Sequence, residues 1–193
     1  MKAAGRADGD VAHVDQAREL VKTAAEELGG LDLLVNAAGE GFAPAPVEEL
    51  TEADWDAAFG ATAKGSFFVT QAAAPHLRAS RGCVVMIEDV AAYQPWPSFA
   101  AHCAAKAAQA MLTRVLARAL APEIRVCGIA PGSVAVEPGQ EERRAAETLL
   151  GRIGSPEDVA GAVVYLAGAD FVTGTTLVVD GGRLLQSTPA GPP

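Results

Sequence analysis

The sequence predicts an α/β protein: one parallel β-sheet with helices on both faces. Three observations predict it. Short apolar runs rich in Val, Ile and Leu recur along the chain, the composition of strands buried on both faces. Between them lie longer segments with helical periodicity and recognisable caps. Strands that alternate with helices need crossover connections, and those connections build parallel sheets.

The elements follow in order. "VDQARELVKTAAEELGG" is amphipathic and closes on a glycine pair, a helix and its stop. "LDLLVNAAG" is a buried strand ending in small residues. "TEADWDAAFGATAKGSFFVTQAAAPHLRAS" opens with Thr51 and Asp54 at capping-box spacing and reads as one long helix. "GCVVMIED" is a second strand. A long helix from Ser98 then runs into a third strand, "EIRVCGIAPG". "SPEDVAGAVVYLAG" starts with Ser155 as N-cap, Pro156 at the first helical position and Asp158 in the first turn. "TTLVVDGG" supplies a fourth strand, giving one domain over 1–186 and a small-residue and proline tail, 187–193, expected to be flexible.

Composition bounds the function. At 193 residues, 50% hydrophobic, the chain can bury a sizeable core. Its net charge of −9 repels phosphate backbones and anionic lipid, so neither nucleic acid nor membrane is an expected partner. The apolar runs are too short for a membrane span and the start has no signal-peptide core, which makes cytoplasmic the expected location. Cys83, Cys103 and Cys127 are expected to be buried free thiols, and the scattered His13, His76 and His102 suggest no metal site.

Ligands of parallel sheets bind beyond the carboxyl ends of the strands. The informative segments are therefore "NAAG", "EDVAAY", "PGSVAVEP" and "DGG". On the next helix His102 and Lys106 lie one turn apart on one face and reach the same small volume.

In this order and spacing the chain resembles the short-chain dehydrogenase/reductase family from Asp10 to Gly182. Asn36-Ala37-Ala38-Gly39 resembles the family's "NNAG" turn, and His102-x-x-x-Lys106 stands at its Tyr-x-x-x-Lys. Pro131-Gly132 matches the "PG" closing the sixth family strand, and "RIGSPEDVAGAVVYLAGADFVTGTTLVVDGG" is similar to its C-terminal signature. Asp89, thirteen residues before His102, occupies the usual serine position; the pteridine-reductase branch is similar in placing an aspartate there. Glu137 and Pro138 resemble that branch's "WPE", with Val136 in place of the aromatic.

The resemblance implies a Rossmann-like, doubly wound sheet, truncated to about four strands. It implies NADP as cofactor, with Asn36, Ala37, Gly39, Lys106, Pro131 and Gly132 lining the nucleotide, and Asp89, His102 and Lys106 as catalytic residues. In the family a phenol supplies the proton while hydride passes from a reduced nicotinamide. Lysine lowers the phenol's pKa and holds the nicotinamide ribose; an asparagine holds a relay water. Three positions depart from that pattern. His102 replaces the tyrosine, Thr62 stands ahead of Lys64-Gly65 where the asparagine is usual, and the glycine-rich "TGxxxGxG" turn is not found. Gly5 and Gly9 neither follow a strand nor open a helix.

Several readings stay open on the sequence alone. Asp89–His102–Lys106 is either a proton-transfer cluster or a relic polar site. Asn36 either borders cofactor or ends a strand. Tyr93 and Trp96 either stack on a flat ligand or plug the cleft mouth. Glu88 is expected to face solvent, and "EERRAAE" to form an exposed turn over the cleft. The resemblance implies a homodimer or homotetramer through helices 51–80 and 98–121 and the last strand. Without a neighbour on its outer side, "LDLLV" would show an open edge, to be covered by another chain, by the N-terminal arm, or by further residues of a natural protein longer than this sequence. Three functions compete: an NADPH-dependent reductase resembling pteridine reductases, degenerate or inactive as an isolated chain; a non-catalytic oligomerising subunit or scaffold, partnered with a full-length paralogue; and a cofactor-free proton-transfer enzyme using Asp89 and His102.

Overall fold

A computed structural model describes residues 5–39, 44–134 and 136–186. The tail expectation for 187–193 lies outside the described residues. Four parallel strands form one sheet in chain order: β1 (Leu33–Asn36), β2 (Cys83–Ile87), β3 (Arg125–Pro131) and β4 (Thr176–Val179). The register pairs Asn36 with Met86, Ile87 with Ile129 and Pro131 with Val179. All four carboxyl ends therefore emerge on one rim, and the short segments that follow them converge there.

Side-chain alternation divides the core into two layers. Val84, Met86 and Val126 point to one face, where they pack with Ala17 and Val21 of α1 (Val14–Leu28), Val69, Ala73 and Leu77 of α3 (Ser66–Ser80), and Leu116 of α4 (Ala100–Leu120). Cys83, Val85, Cys127 and Ile129 point to the other, against Ala162 and Leu166 of α6 (Pro156–Gly168). The two buried layers explain why β2 and β3 read as continuous apolar runs rather than alternating ones.

Leu33 and Val35 pair in register with Cys83 and Val85 and so share the face that α6 covers. That cover does not extend to them: they remain 37% and 38% exposed. The open apolar edge expected for "LDLLV" is thus present among the described residues.

The caps behave as their sequences suggest. Thr51 and Asp54 close a reciprocal capping box at α2 (Glu52–Phe59), as Ser155 and Asp158 do at α6. Gly29 ends α1 with a left-handed backbone at φ 75°. The long helix expected from Thr51 is instead two helices joined by a buried π-helical turn, Gly60–Gly65. Gly65 allows the approach of Val11, whose Cγ2 would lie 2.9 Å from an added Cβ, so the N-terminal arm seats on that turn. The helix expected from Ser98 begins at Ala100 after a 3-10 turn over Pro97–Phe99, and a short α5 (Glu141–Ala146) follows β3.

Candidate active site

The site is assembled where β2 stops. Asp89 leaves the strand in extended conformation and caps the turn Val90–Ala92, its Oδ1 accepting from Ala91 N at 2.8 Å. That bond fixes the carboxylate, and the second oxygen, Oδ2, lies 3.4 Å from His102 Nε2. Helix α4 carries His102 and, one turn on, Lys106, each only 8% exposed. The sequence-predicted trio is therefore brought together.

Lys106 is held from two sides. Its Nζ donates to the Ile87 carbonyl at 2.9 Å and to Gln109 Oε1 at 3.2 Å. Gln109 in turn donates from Nε2 to Ser66 Oγ at 2.8 Å, tying α4 to the start of α3. Burial pushes the lysine pKa down, while the neighbouring Asp89 and Glu88 carboxylates oppose that shift. Thr62 is buried in the π-helical turn.

Glu88 contradicts the solvent-facing expectation. It is 2% exposed, and its side chain lies over Gly128, where any Cβ would collide with the carboxylate. Thr113 Oγ1 donates to its Oε1 at 2.6 Å; Thr176 Oγ1 and the Tyr93 hydroxyl donate to Oε2 at 3.0 and 3.1 Å. Burial raises the Glu88 pKa, and the three hydroxyls and Lys106 act against it. Tyr93 thus turns its hydroxyl inward rather than offering it to a ligand. Burial is the first cause that raises its own pKa, and the Glu88 charge adds to it.

Trp96 lines a cleft of about 710 Å³ together with Asp89, Gly132, Ser133, Val136, Glu137 and Arg183. Its ring lies nearly parallel to the His102 imidazole, at 11° and 6.3 Å between centroids. Gln140, Arg143 and Arg144 complete the wall, so "EERRAAE" does border the cleft. A second cavity, of about 440 Å³, sits beside Leu149, Leu150 and Val178 and shares only Ser133 with the first.

The remaining expected residues separate. Asn36 is 7% exposed and donates from Nδ2 to Thr70 Oγ1 at 3.0 Å, a bond that fastens the end of β1 to α3. Ala37 and Gly39 are exposed on the rim beyond it. Pro131 ends β3, and Gly132 lets the chain pass Asp180, whose Cα would lie 2.8 Å from an added Cβ. Cys83 and Cys127 are buried, but Cys103 is only partly so. No group of three His, Cys, Asp or Glu able to hold a metal occurs among the described residues. No helix among them is long and apolar enough to cross a membrane.

Comparison with known proteins decides the family. The family profile described as enoyl-(acyl carrier protein) reductase matches residues 2–183. Human "dehydrogenase/reductase SDR family member 4" is 35% identical over 189 residues, covering 90% of this chain and 68% of that protein. The chain belongs to the short-chain dehydrogenase/reductase family. Another family relative, the putative ketoacyl reductase 2 of the granaticin polyketide synthase of Streptomyces violaceoruber, is 37% identical and covers 91% of this chain and 75% of its own. Among solved family structures, a gluconate 5-dehydrogenase from Burkholderia cenocepacia in complex with NADP and tartrate superposes with a TM-score of 0.85. It is 31% identical and covers 93% of this chain and 74% of its own.

The described residues fit one end of such a nucleotide. The buried Lys106 ammonium beside Asp89 and the rim at Pro131-Gly132 suit a nicotinamide ribose. The pyrophosphate end is different: among the described residues the helix ahead of β1 is α1, which carries Asp15 in its first turn, a charge that repels phosphate, and Gly5 and Gly9 lie against Glu27 and Leu20.

Two features escaped sequence reasoning. Gln109 sits three residues after Lys106, a helical spacing that would have revealed it. Arg183 gave no signal, because its partners Ser133 and Glu147 lie 50 and 36 positions away in the chain.

Proposed function

We propose that the chain forms the proton-transfer and substrate half of a short-chain reductase site, with the Asp89–His102 pair in the place of the family's phenol. The observation that carries it is the 3.4 Å contact of His102 Nε2 with Oδ2 of Asp89, a residue that lines the cleft, with Lys106 one turn beyond. A reduced nicotinamide, when bound, supplies hydride to a carbonyl or imine carbon. The chain's part is to protonate the resulting oxyanion or amide nitrogen. An imidazole can accept and release a proton through its ring nitrogens, and Asp89 faces the Nε2 of His102. Lys106 contributes a fixed positive charge beside the developing anion.

The resemblance to pteridine reductases rests on Asp89 and on Glu137-Pro138, and Trp96 adds a flat aromatic at the cleft wall. Dihydrobiopterin and dihydrofolate are therefore the first substrates to assay, by NADPH oxidation. Turnover with either supports the reading. Absence of NADPH oxidation, together with no nucleotide binding at millimolar concentration, overturns it.

A second reading has its own support. The helix face bearing Met111 and Val115, and the last strand with Leu177 and Val178, leave large apolar side chains 36–53% exposed. Those are the surfaces expected to oligomerise, through helices 51–80 and 98–121 and the last strand. A non-catalytic subunit that joins a full-length paralogue would use them without a working site. A rise in mass on mixing with such a paralogue, without any turnover by this chain, separates the two.

A further inference from the structure

The cleft that Asp89 lines also carries three guanidiniums: Arg143, Arg144 and Arg183. In a chain of net charge −9 that concentration of one sign is local and specific. All three converge on one carboxylate. Arg144 Nη1 lies 3.0 Å and Arg183 Nη2 also 3.0 Å from Glu147 Oε2, and Arg143 Nη1 lies 3.9 Å from Oε1. Among the described residues Glu147 is the carboxylate that all three guanidiniums share in ion pairs, while Asp89 and Asp180 act on Arg183 without pairing to it.

The wall is also built rather than loosely drawn. The Arg183 side chain is 12% exposed, donates to Ser133 Oγ at 2.9 Å and lies 5.1 Å over the Trp96 ring. Desolvation lowers its pKa, and Arg144 adds repulsion, so placing this cation here costs energy that Glu147, Asp89 and Asp180 only partly offset. Each guanidinium carries five N–H donors in a fixed fork, more than these bonds use. Glu147 itself shows what chemistry the wall accepts.

We propose that the Arg143–Arg144–Arg183 wall holds the carboxylate of an acidic carbonyl substrate, leaving the carbonyl to Asp89, which lines the same cleft, and to His102 in contact with it. This rests on reading that cleft as the substrate cavity. Arg183, the most buried of the three, carries most of the preference, and Trp96 covers the apolar body between the two ends. Glu137 also lines the cleft and opposes the anion.

The test is calorimetry with para-acetylbenzoate and para-methylacetophenone, ketones of one shape that differ in charge, in the absence of nicotinamide. The carboxylate is expected to bind at least about tenfold tighter, the low end of what charge-assisted hydrogen bonds contribute. Raising salt from about 0.05 M to about 0.5 M weakens that ligand alone. Arg183→Met removes the preference and Glu137→Gln strengthens it. Should Arg183→Met fail to fold, Arg144→Gln and the salt series carry the same test in folded protein. Equal affinity for the two ketones, binding of neither, or a preference unchanged by salt and by both arginine substitutions overturns the proposal. Because no nucleotide is present, failure of hydride transfer leaves it standing. Conversely, NADPH-dependent reduction of both ketones with equal kcat/KM would sink it and keep the reductase reading.

Discussion

Glu88 offers the most quantitative test of how the site is supported. Replacing it by glutamine keeps its shape and one acceptor oxygen for Thr113, whose hydroxyl lies at 2.6 Å. The new amide group donates to Thr176 Oγ1 or the Tyr93 hydroxyl, both of which can turn to accept. Replacing it by alanine strands those donors. Thr113 is fully buried and loses its acceptor outright, about 1–3 kcal/mol; Thr176 and Tyr93 reach solvent in part and lose less. With the cavity added, Glu88→Ala is expected to cost about 3 kcal/mol and Glu88→Gln less than about 1 kcal/mol.

The pH dependence has a definite sign. A carboxyl whose folded pKa is raised contributes stability below its unfolded value, about 4.3, and loses that contribution as pH rises through the folded value. Glutamine has no such loss, so the glutamine variant gains on the parent as pH rises from about 4 to about 8. Urea unfolding at both pH values measures it. A glutamine variant as unstable as the alanine one, or one that loses ground to the parent with rising pH, would refute the buried, hydroxyl-clamped carboxyl.

Three further outcomes follow from the same geometry. Gly128→Ala drives a methyl into the Glu88 carboxylate and is expected to cost about 2 kcal/mol or more; combined with Glu88→Ala the penalty shrinks, which a double-mutant cycle by urea unfolding reads directly. Asn36→Ala breaks the buried bond to Thr70 and is expected to lower stability by about 1–2 kcal/mol while leaving KM for any nucleotide within about twofold; a large KM change with unaltered stability would place Asn36 at the cofactor instead. Ser155→Ala removes one half of the α6 capping box and is expected to cost about 1 kcal/mol in thermal or urea unfolding.

Much of the frame was legible because it is local. Strand runs, caps and the His102–Lys106 pair depend on spacings of a few residues, and each lies where periodicity placed it. The π-helical turn at Gly60–Gly65 was not legible, since its residues are compatible with an ordinary helix and its shape is set by packing, including Val11 from the N-terminal arm. Glu88 was misjudged for a similar reason: a carboxylate beside another at a strand end looks solvated unless its partners are known. Those partners, Thr113 and Thr176, are 25 and 88 positions away. The arginine wall was invisible until β3, α5 and the segment after β4 met.

The central claim is that Asp89 and His102 together deliver the proton. The most direct measurement is the steady-state rate of NADPH oxidation with dihydrofolate by the parent chain and by His102→Gln, alongside nucleotide affinity for each. The glutamine keeps a hydrogen-bonding group on α4 but cannot carry a titrating proton. The account predicts a fall in kcat of about 100-fold or more with nucleotide affinity unchanged within about twofold. A rate equal to the parent's, or no rate in the parent at all, would contradict it.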